Sequence, residues 1–200
     1  MILWMKLLTN LADDELLRLM ASKNEQAFTV LYQRRQAAVY RFALQMSGSP
    51  GVAEEVTQDV FLMLLRERSA YDAARGPLAS YLYGVARRLI WRRMARDRAL
   101  VQIGEDEEDG RTPEQLIARP EVVSDIVRDQ AVQSLRRAIL SLPVGYREVV
   151  VLCDLHELSY AEAARALGCA VGTVRSRLHR ARALLSERLA VKRSSSGCLV

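Results

Sequence analysis

Apolar residues recur every three or four positions through most of this 200-residue chain, in two blocks separated by an acidic run. That spacing puts apolar side chains on one face of a helix and leaves strands little room. Phe28, Leu31 and Tyr32 open a stripe that continues through Val39, Phe42, Ala43 and Met46. Ser47-Gly48-Ser49-Pro50-Gly51 then interrupts the chain. Val56, Val60 and Leu64 resume the stripe as far as about Arg66. After a loop with Gly76-Pro77, a further helix is expected from about Ser80 to Arg98, with Leu82, Val85, Ala86 and Leu89 inward. An earlier helix is expected over Asp13 to Ala21. Residues 10–98 read as one compact helical domain.

Residues 99–130 hold nine Asp or Glu against three Arg, a net of −6, with Glu105-Asp106-Glu107-Glu108-Asp109 at the centre. Such a run repels itself and resists packing. It reads as a linker with some helix after Pro113 or Pro120, either a plain tether or a strap resting on the basic stretch from Arg87 to Arg98. Helical spacing returns over 131–193: Leu135, Ile139 and Leu142 lead to Pro143, and a second helix spans Tyr146 to about Leu155. The fold class is therefore all-α, two small helical domains joined by an acidic linker.

The opening Met1–Leu8 is interrupted by Lys6, is too short to cross a bilayer and lacks signal-peptide features. It reads as an extra amphipathic turn or as the product of a start codon placed too early. Cys153, Cys169 and Cys198 are too widely spaced for a zinc site or disulfide framework, which fits a reducing cytoplasm. No cofactor or metal motif, Gly-rich phosphate loop or nucleophile constellation is visible, and an enzyme is disfavoured. His156 reads as a structural residue. The tail after Arg193 reads as disordered.

The densest pattern begins at Ser159. Its hydroxyl can cap a helix, and Glu162 three residues on completes a capping box. Ala164 is small where two helices would cross. Gly168 follows at four residues, where a tight turn favours positive φ, and Val174 lies six beyond, facing inward. This is helix-turn-helix spacing. The second helix is expected to start near Gly172 or Thr173, with Val174, Leu178 and Ala181 inside and Arg175, Ser176, His179 and Arg180 outside. Such a helix suits the major groove, where arginine can pair bidentately with guanine. Residues 131–193 carry eleven Lys or Arg against five Asp or Glu, a net of +6, which suits a phosphate-binding module.

These residues carry a family resemblance. LPVGYREVVVLCDLHELSYAEAARALGCAVGTVRSRLHRARALL resembles region 4 of extracytoplasmic-function sigma factors. AFTVLYQRRQAAVYRFALQMSGSPGVAEEVTQDVFLMLL, followed by LASYLYGVARRLIWRRMARDR, resembles their region 2. The resemblance implies that region 2 grips core RNA polymerase and opens the −10 element of promoter DNA, while region 4 reads the −35 element. It places Arg175, Ser176, His179 and Arg180 on −35-reading positions. It assigns Glu55, Gln58, Asp59 and Leu62, at helical spacing opposite Val56, Val60 and Leu64, to polymerase binding. Tyr81, Arg88, Trp91 and Arg92 interleave rings with cations, as a single-strand surface requires, and are expected at the −10 element; Tyr81 fits equally well as the edge of the core. The family commonly has Trp where this chain has Tyr81, Asn where it has Arg88, and Glu-Asp where it has Glu54-Glu55. An anti-sigma factor is a partner that the resemblance adds without indicating which. The rival reading is a helix-turn-helix regulator that does not bind core polymerase.

Overall fold

The computed structural model describes residues 8–66, 71–103 and 126–196, and these are helical, with no strand among them. The first block holds α1 (Asp13–Ala21), α2 (Glu25–Ser47), α3 (Pro50–Arg66), a short 3₁₀ turn (Ala73–Arg75) and α4 (Leu78–Ile103). The second holds α5 (Ile126–Leu140), α6 (Val144–Val150) running into a π-helical turn (Val151–Leu155), α7 (Tyr160–Leu167) and α8 (Val171–Ser196).

Local chemistry sets the ends of these helices. The Asn24 side chain accepts from the Ala27 N–H at 3.1 Å and starts α2. Gly48, at φ +75°, ends it and returns its N–H to the Leu44 carbonyl at 2.8 Å. Pro50 then opens α3, where its missing N–H costs nothing. Helix α4 starts before Ser80 and runs beyond Arg98 to Ile103, so it enters the stretch read as linker. Helix α8 likewise passes Arg193 and reaches Ser196, correcting the reading of that part of the tail as disordered. The helix expected after Pro113 or Pro120 lies outside the described residues up to 125, as do the acidic run and Cys198. Leu8 is fully buried; Met1–Leu7 lie outside the described residues.

Helices α2, α3 and α4 pack face to face. Their inner sides contribute Leu31, Phe42, Val56, Val60, Leu64, Leu82 and Val85, all buried, and Ile90 joins them. Leu89, expected inside, is only partly buried. Asp13 holds α1 against α2 by pairing with Arg34 at 2.7 Å and Arg35 at 2.5 Å. In the second block α6, with Val149 and Val150 buried, packs on α8, with Val174, Leu178 and Ala181 buried.

The two blocks share one continuous set of buried residues. Helix α7 lies across α4. The crossing is close at Gly84, where a Cβ would stand 3.2 Å from the Ala166 carbonyl oxygen. Polar groups complete the seam. Glu148, 1% exposed, takes the Arg87 guanidinium Nε and the Trp91 indole N–H, the latter at 3.1 Å. His156 lies between Tyr83 Oη at 3.0 Å and Gln45 Oε1 at 2.9 Å. Arg147 donates to the Met46 carbonyl at 2.6 Å and to the carbonyls of Leu140 and Leu142, closing the C-terminal ends of α2 and α5 together. Burial pushes the Arg147 pKa down from its ordinary value, and its own chain neighbour Glu148 opposes that shift.

Gly168 has φ +66° and open space around its Cα. Backbone conformation, not room, therefore demands glycine there. Gly168→Ala is expected to cost about 1 kcal/mol and Gly168→Asn less, because Asn tolerates this region. Urea unfolding of the two variants checks the order.

Candidate nucleic-acid interface

The candidate site starts from one cap. The Ser159 hydroxyl accepts from the Glu162 N–H at 3.3 Å, and Glu162 Oε2 accepts from the Ser159 N–H at 2.8 Å. The Ser159 hydroxyl also donates to Glu162 Oε2 at 2.6 Å, and this bond, with that from the Ser159 N–H, holds the Glu162 carboxyl below the usual carboxylate range. The capped helix α7 buries Ala163, Ala164, Ala166 and Leu167. Three alanines allow close approach on both sides, to α8 and to α4. The left-handed Gly168 then reverses the chain, and α8 begins at Val171, one or two residues before the expected start.

Val174, Leu178 and Ala181 are buried, as their spacing required. Arg175, Ser176, His179 and Arg180 are all exposed and share one side of α8. Ser176 Oγ bonds back to the Thr173 carbonyl at 3.1 Å. The other two arginines of this stretch are used structurally. Arg177 is partly buried beside Gly145. Arg182 grips Asp154 through two hydrogen bonds, Nε at 3.1 Å and Nη2 at 2.5 Å, fixing α8 to the π turn. The helix therefore separates anchoring arginines from free ones, and the free pair lies towards its N-terminal half.

On α4 the expected single-strand residues divide. Arg88 and Arg92 are exposed, and Arg96 extends them into a stripe at intervals of four. Tyr81 is half-buried with its ring 5.6 Å from that of Tyr71. Trp91 is turned towards the second block and tied to Glu148. The structure thus does not bring Trp91 onto the open arginine stripe. Most of the loop between α3 and α4 is described only from Tyr71 onward. Tyr71 itself donates to Asp14 at 2.7 Å, and burial together with that carboxylate raises its pKa.

On α3, Glu55, Gln58 and Leu62 are exposed, Leu62 to 45%. Asp59 is less open, because Arg93 of α4 reaches it at 2.8 Å and also pairs with Glu55. Gln58 lines a groove with Tyr32, Gln36, Tyr40 and Arg41 of α2. Sequence reading missed Arg93, which sets the two acidic side chains of this ridge. It also missed Glu148, which looks like a surface residue in YREVVVL.

Among the described residues no group of three or more His, Cys, Asp or Glu could hold a metal ion. Burial and Asp154 push the Cys153 thiol up to about 11, so it stays protonated and unreactive near neutral pH. No described helix is long and apolar enough to cross a membrane.

A two-block helical chain with a basic helix-turn-helix at one end and an acidic ridge and arginine stripe at the other belongs to the class of DNA-binding transcription factors. Comparison with known proteins narrows this. Sigma-70 region 2 matches residues 31–99 and sigma-70 region 4 matches residues 132–185, together more than half of the chain. The chain belongs to the sigma-70 family of transcription initiation factors, with relatives of the extracytoplasmic-function (ECF) type. The ECF RNA polymerase sigma factor SigE of Mycolicibacterium smegmatis is 36% identical over 161 residues, covering 80% of this chain and 60% of SigE. The chain thus spans less than two thirds of that relative. SigK of Mycolicibacterium vanbaalenii is 29% identical over 167 residues, 82% of this chain and 83% of SigK. Among solved structures, CnrH in complex with the cytosolic domain of CnrY superposes with a TM-score of 0.66 at 26% identity, covering 90% of this chain and 99% of CnrH. The sigma factor RpoE in complex with the anti-sigma factor NepR from Bartonella quintana shares the fold, with a TM-score of 0.67 at 24% identity over 82% of this chain and 97% of RpoE.

The Arg93 side chain is 19% exposed, but its partners are open to water, Glu55 to 63% and Asp59 to 40%. Pairs of this kind contribute little. Arg93→Met is expected to lower stability by less than about 1 kcal/mol, read from denaturant unfolding, while freeing the two carboxylates.

Proposed function

We propose that this chain is a cytoplasmic promoter-recognition subunit of RNA polymerase. In this reading residues 10–98 bind the core enzyme and open the −10 element, residues 99–130 tether, and residues 131–193 read the −35 element as duplex. The observation that carries it is the open face of α8. Arg175, Ser176, His179 and Arg180 are all exposed on a helix whose opposite side is buried and whose start is set by a capped helix and a left-handed glycine. Arginine in the first turns of such a helix can take O6 and N7 of guanine together.

The same reading assigns Glu55, Gln58, Asp59 and Leu62 to the polymerase. A polar ridge with one open leucine suits an interface that must form and part. Tyr81, Arg88, Trp91 and Arg92 are assigned to the opened −10 strand. CnrH, a similar chain, was solved in complex with the cytosolic domain of CnrY, which supports a further protein partner for this chain, an anti-sigma factor in this reading. A helix-turn-helix regulator acting without the polymerase would need no acidic ridge on α3.

Runoff transcription with purified core polymerase and a promoter library is the direct test, and no promoter-dependent product would sink the reading. Within it, Arg175→Ala or Arg180→Ala is expected to weaken promoter binding by about 1–3 kcal/mol, with the loss concentrated at one base pair. An equal loss on every DNA sequence would reduce the residue to a phosphate contact. For the polymerase, Leu62→Asp is a cleaner probe than Asp59→Arg, which would also set two arginines against each other at Arg93. A pull-down in which Leu62→Asp holds core as tightly as the parent chain would remove this ridge from the interface.

A further inference from the structure

Tyr71 ties α1 to the loop ahead of α4. Its one hydroxyl hydrogen is shared between Asp14 Oδ1 at 2.7 Å and the Gly76 carbonyl at 3.1 Å. A single oxygen therefore closes the loop on itself and pins it to a helix 57 residues earlier. Burial, with the hydrogen bond to Asp14, raises the Tyr71 pKa, so the hydroxyl keeps the proton it donates. Short-range bonds shape the rest of the loop. Asp72 Oδ1 accepts from the Ala74 N–H at 2.9 Å and starts the 3₁₀ turn. Gly76, at φ +135°, returns its N–H to the Ala73 carbonyl at 3.2 Å. The Arg75 side chain on this turn is 88% exposed.

Asp14 is itself held in place. Its neighbour Asp13 pairs with Arg34 and Arg35 of α2, and Arg34 also donates to the carbonyls of Leu11 and Thr9, each at 2.9 Å. Both acids lie in the first turn of α1, where a helix favours negative charge. One faces the body of the bundle and the other faces the loop. No bond of this tie comes from the second block.

The Tyr71 ring has a second use. It stands edge-on to Tyr81, with centroids 5.6 Å apart and planes at 61°. Along α4, Arg88 and Arg92 lie 7 and 11 residues beyond Tyr81. At 3.6 residues per turn both fall within about 20° of its direction. Trp91 is about 80° away and bound to Glu148. A single-strand surface needs rings for bases beside cations for phosphates. The rings in line with the arginine stripe are Tyr71 and Tyr81.

We propose that Asp14 is a positioning residue for base selection: through the Tyr71 hydroxyl it sets where the Tyr71–Tyr81 ring pair stands at the head of the Arg88–Arg92 stripe, and so which base of an opened strand fits there. This rests on the reading of α4 as the strand-binding element. Asp14 touches no nucleotide in this scheme and acts only through the ring. A ring held at its hydroxyl presents one face, whereas a loose ring presents several. A fixed face discriminates between bases, and a loose one accepts any, because every base has a π-face.

The test uses the full chain assembled with core polymerase, on a promoter recovered from the runoff library with each −10 position changed in turn to all four bases. Tyr71→Phe keeps the ring pair and removes the hydroxyl. Asp14→Ala removes its acceptor, and Asp14→Asn leaves an amide oxygen that still accepts. Tyr71→Phe and Asp14→Ala should each lower the preference for the best base at one −10 position by about fivefold, the middle of what one hydrogen bond contributes. Preferences at the other −10 positions and at the −35 element should stay as in the parent chain, and Asp14→Asn should keep most of what Asp14→Ala loses. Pull-down of core and urea unfolding check assembly and stability. A loss of product spread evenly over all promoters, in step with lowered stability, would reduce the tie to a structural brace and overturn the proposal. Unchanged base preference in Tyr71→Phe and Asp14→Ala would overturn it as well, as would an Asp14→Asn variant no better than Asp14→Ala. Absence of promoter-dependent product from the parent chain would instead sink the proposed function, and this inference with it, so the two failures are told apart by the parent chain alone.

Discussion

One carboxylate sets the relation between the two halves of this molecule. Glu148 is taken from water in the structure, and a buried carboxylate is tolerated only when its oxygens are paired. Its partners, Arg87 and Trp91, come from a helix about sixty residues earlier. Removing either side would leave a charge stranded in the seam. The packing of α7 on α4, the approach at Gly84 and the seating of His156 lie along the same seam.

Around it the fold uses small residues and one irregular turn to bring backbones together. Ala163, Ala164 and Ala166 leave α7 thin enough to lie between α4 and α8. The π turn Val151–Leu155 inserts one extra residue per turn at the end of α6. It ends with the His156 N–H returned to the Val151 carbonyl at 3.0 Å, which brings the imidazole to Tyr83 and Gln45. The same turn carries Asp154, which Arg182 grips from α8. One local distortion therefore serves both the seam and the seating of the basic helix.

Much of this was legible in the sequence, and the reason is that local rules carry it. The Ser159–Glu162 cap, the left-handed Gly168 and the inward Val174 are set by residues within a few positions of one another, and they locate α7 and α8 to within two residues. The apolar faces of α2, α3 and α4 follow from three-four spacing in the same way. What spacing reports is that a helix has a face, not which helix covers it. Glu148 sits between Arg147 and Val149 with nothing nearby to mark it as buried, and its partners lie in another block. Trp91 falls at a spacing that fits the arginine stripe, yet a helix turn of 100° per residue leaves it on the flank, where α6 reaches it. Arg147 and Arg93 were invisible for the same reason, because their acceptors are a backbone carbonyl on α2 and carboxylates on α3.

The chemistry of the seam also decides what kind of contact it can be. An apolar interface gains from every ångström of area and has little geometric preference, so two helical blocks could slide on one another. Here directional contacts join the shared apolar core: a guanidinium and an indole on one oxygen, an imidazole between a phenol and an amide, a second guanidinium bridging three carbonyls. Each fixes register, and each exchanges its partner for water at modest net cost when the blocks separate. Directional polar ties set on an apolar seam give the two blocks one well-defined arrangement.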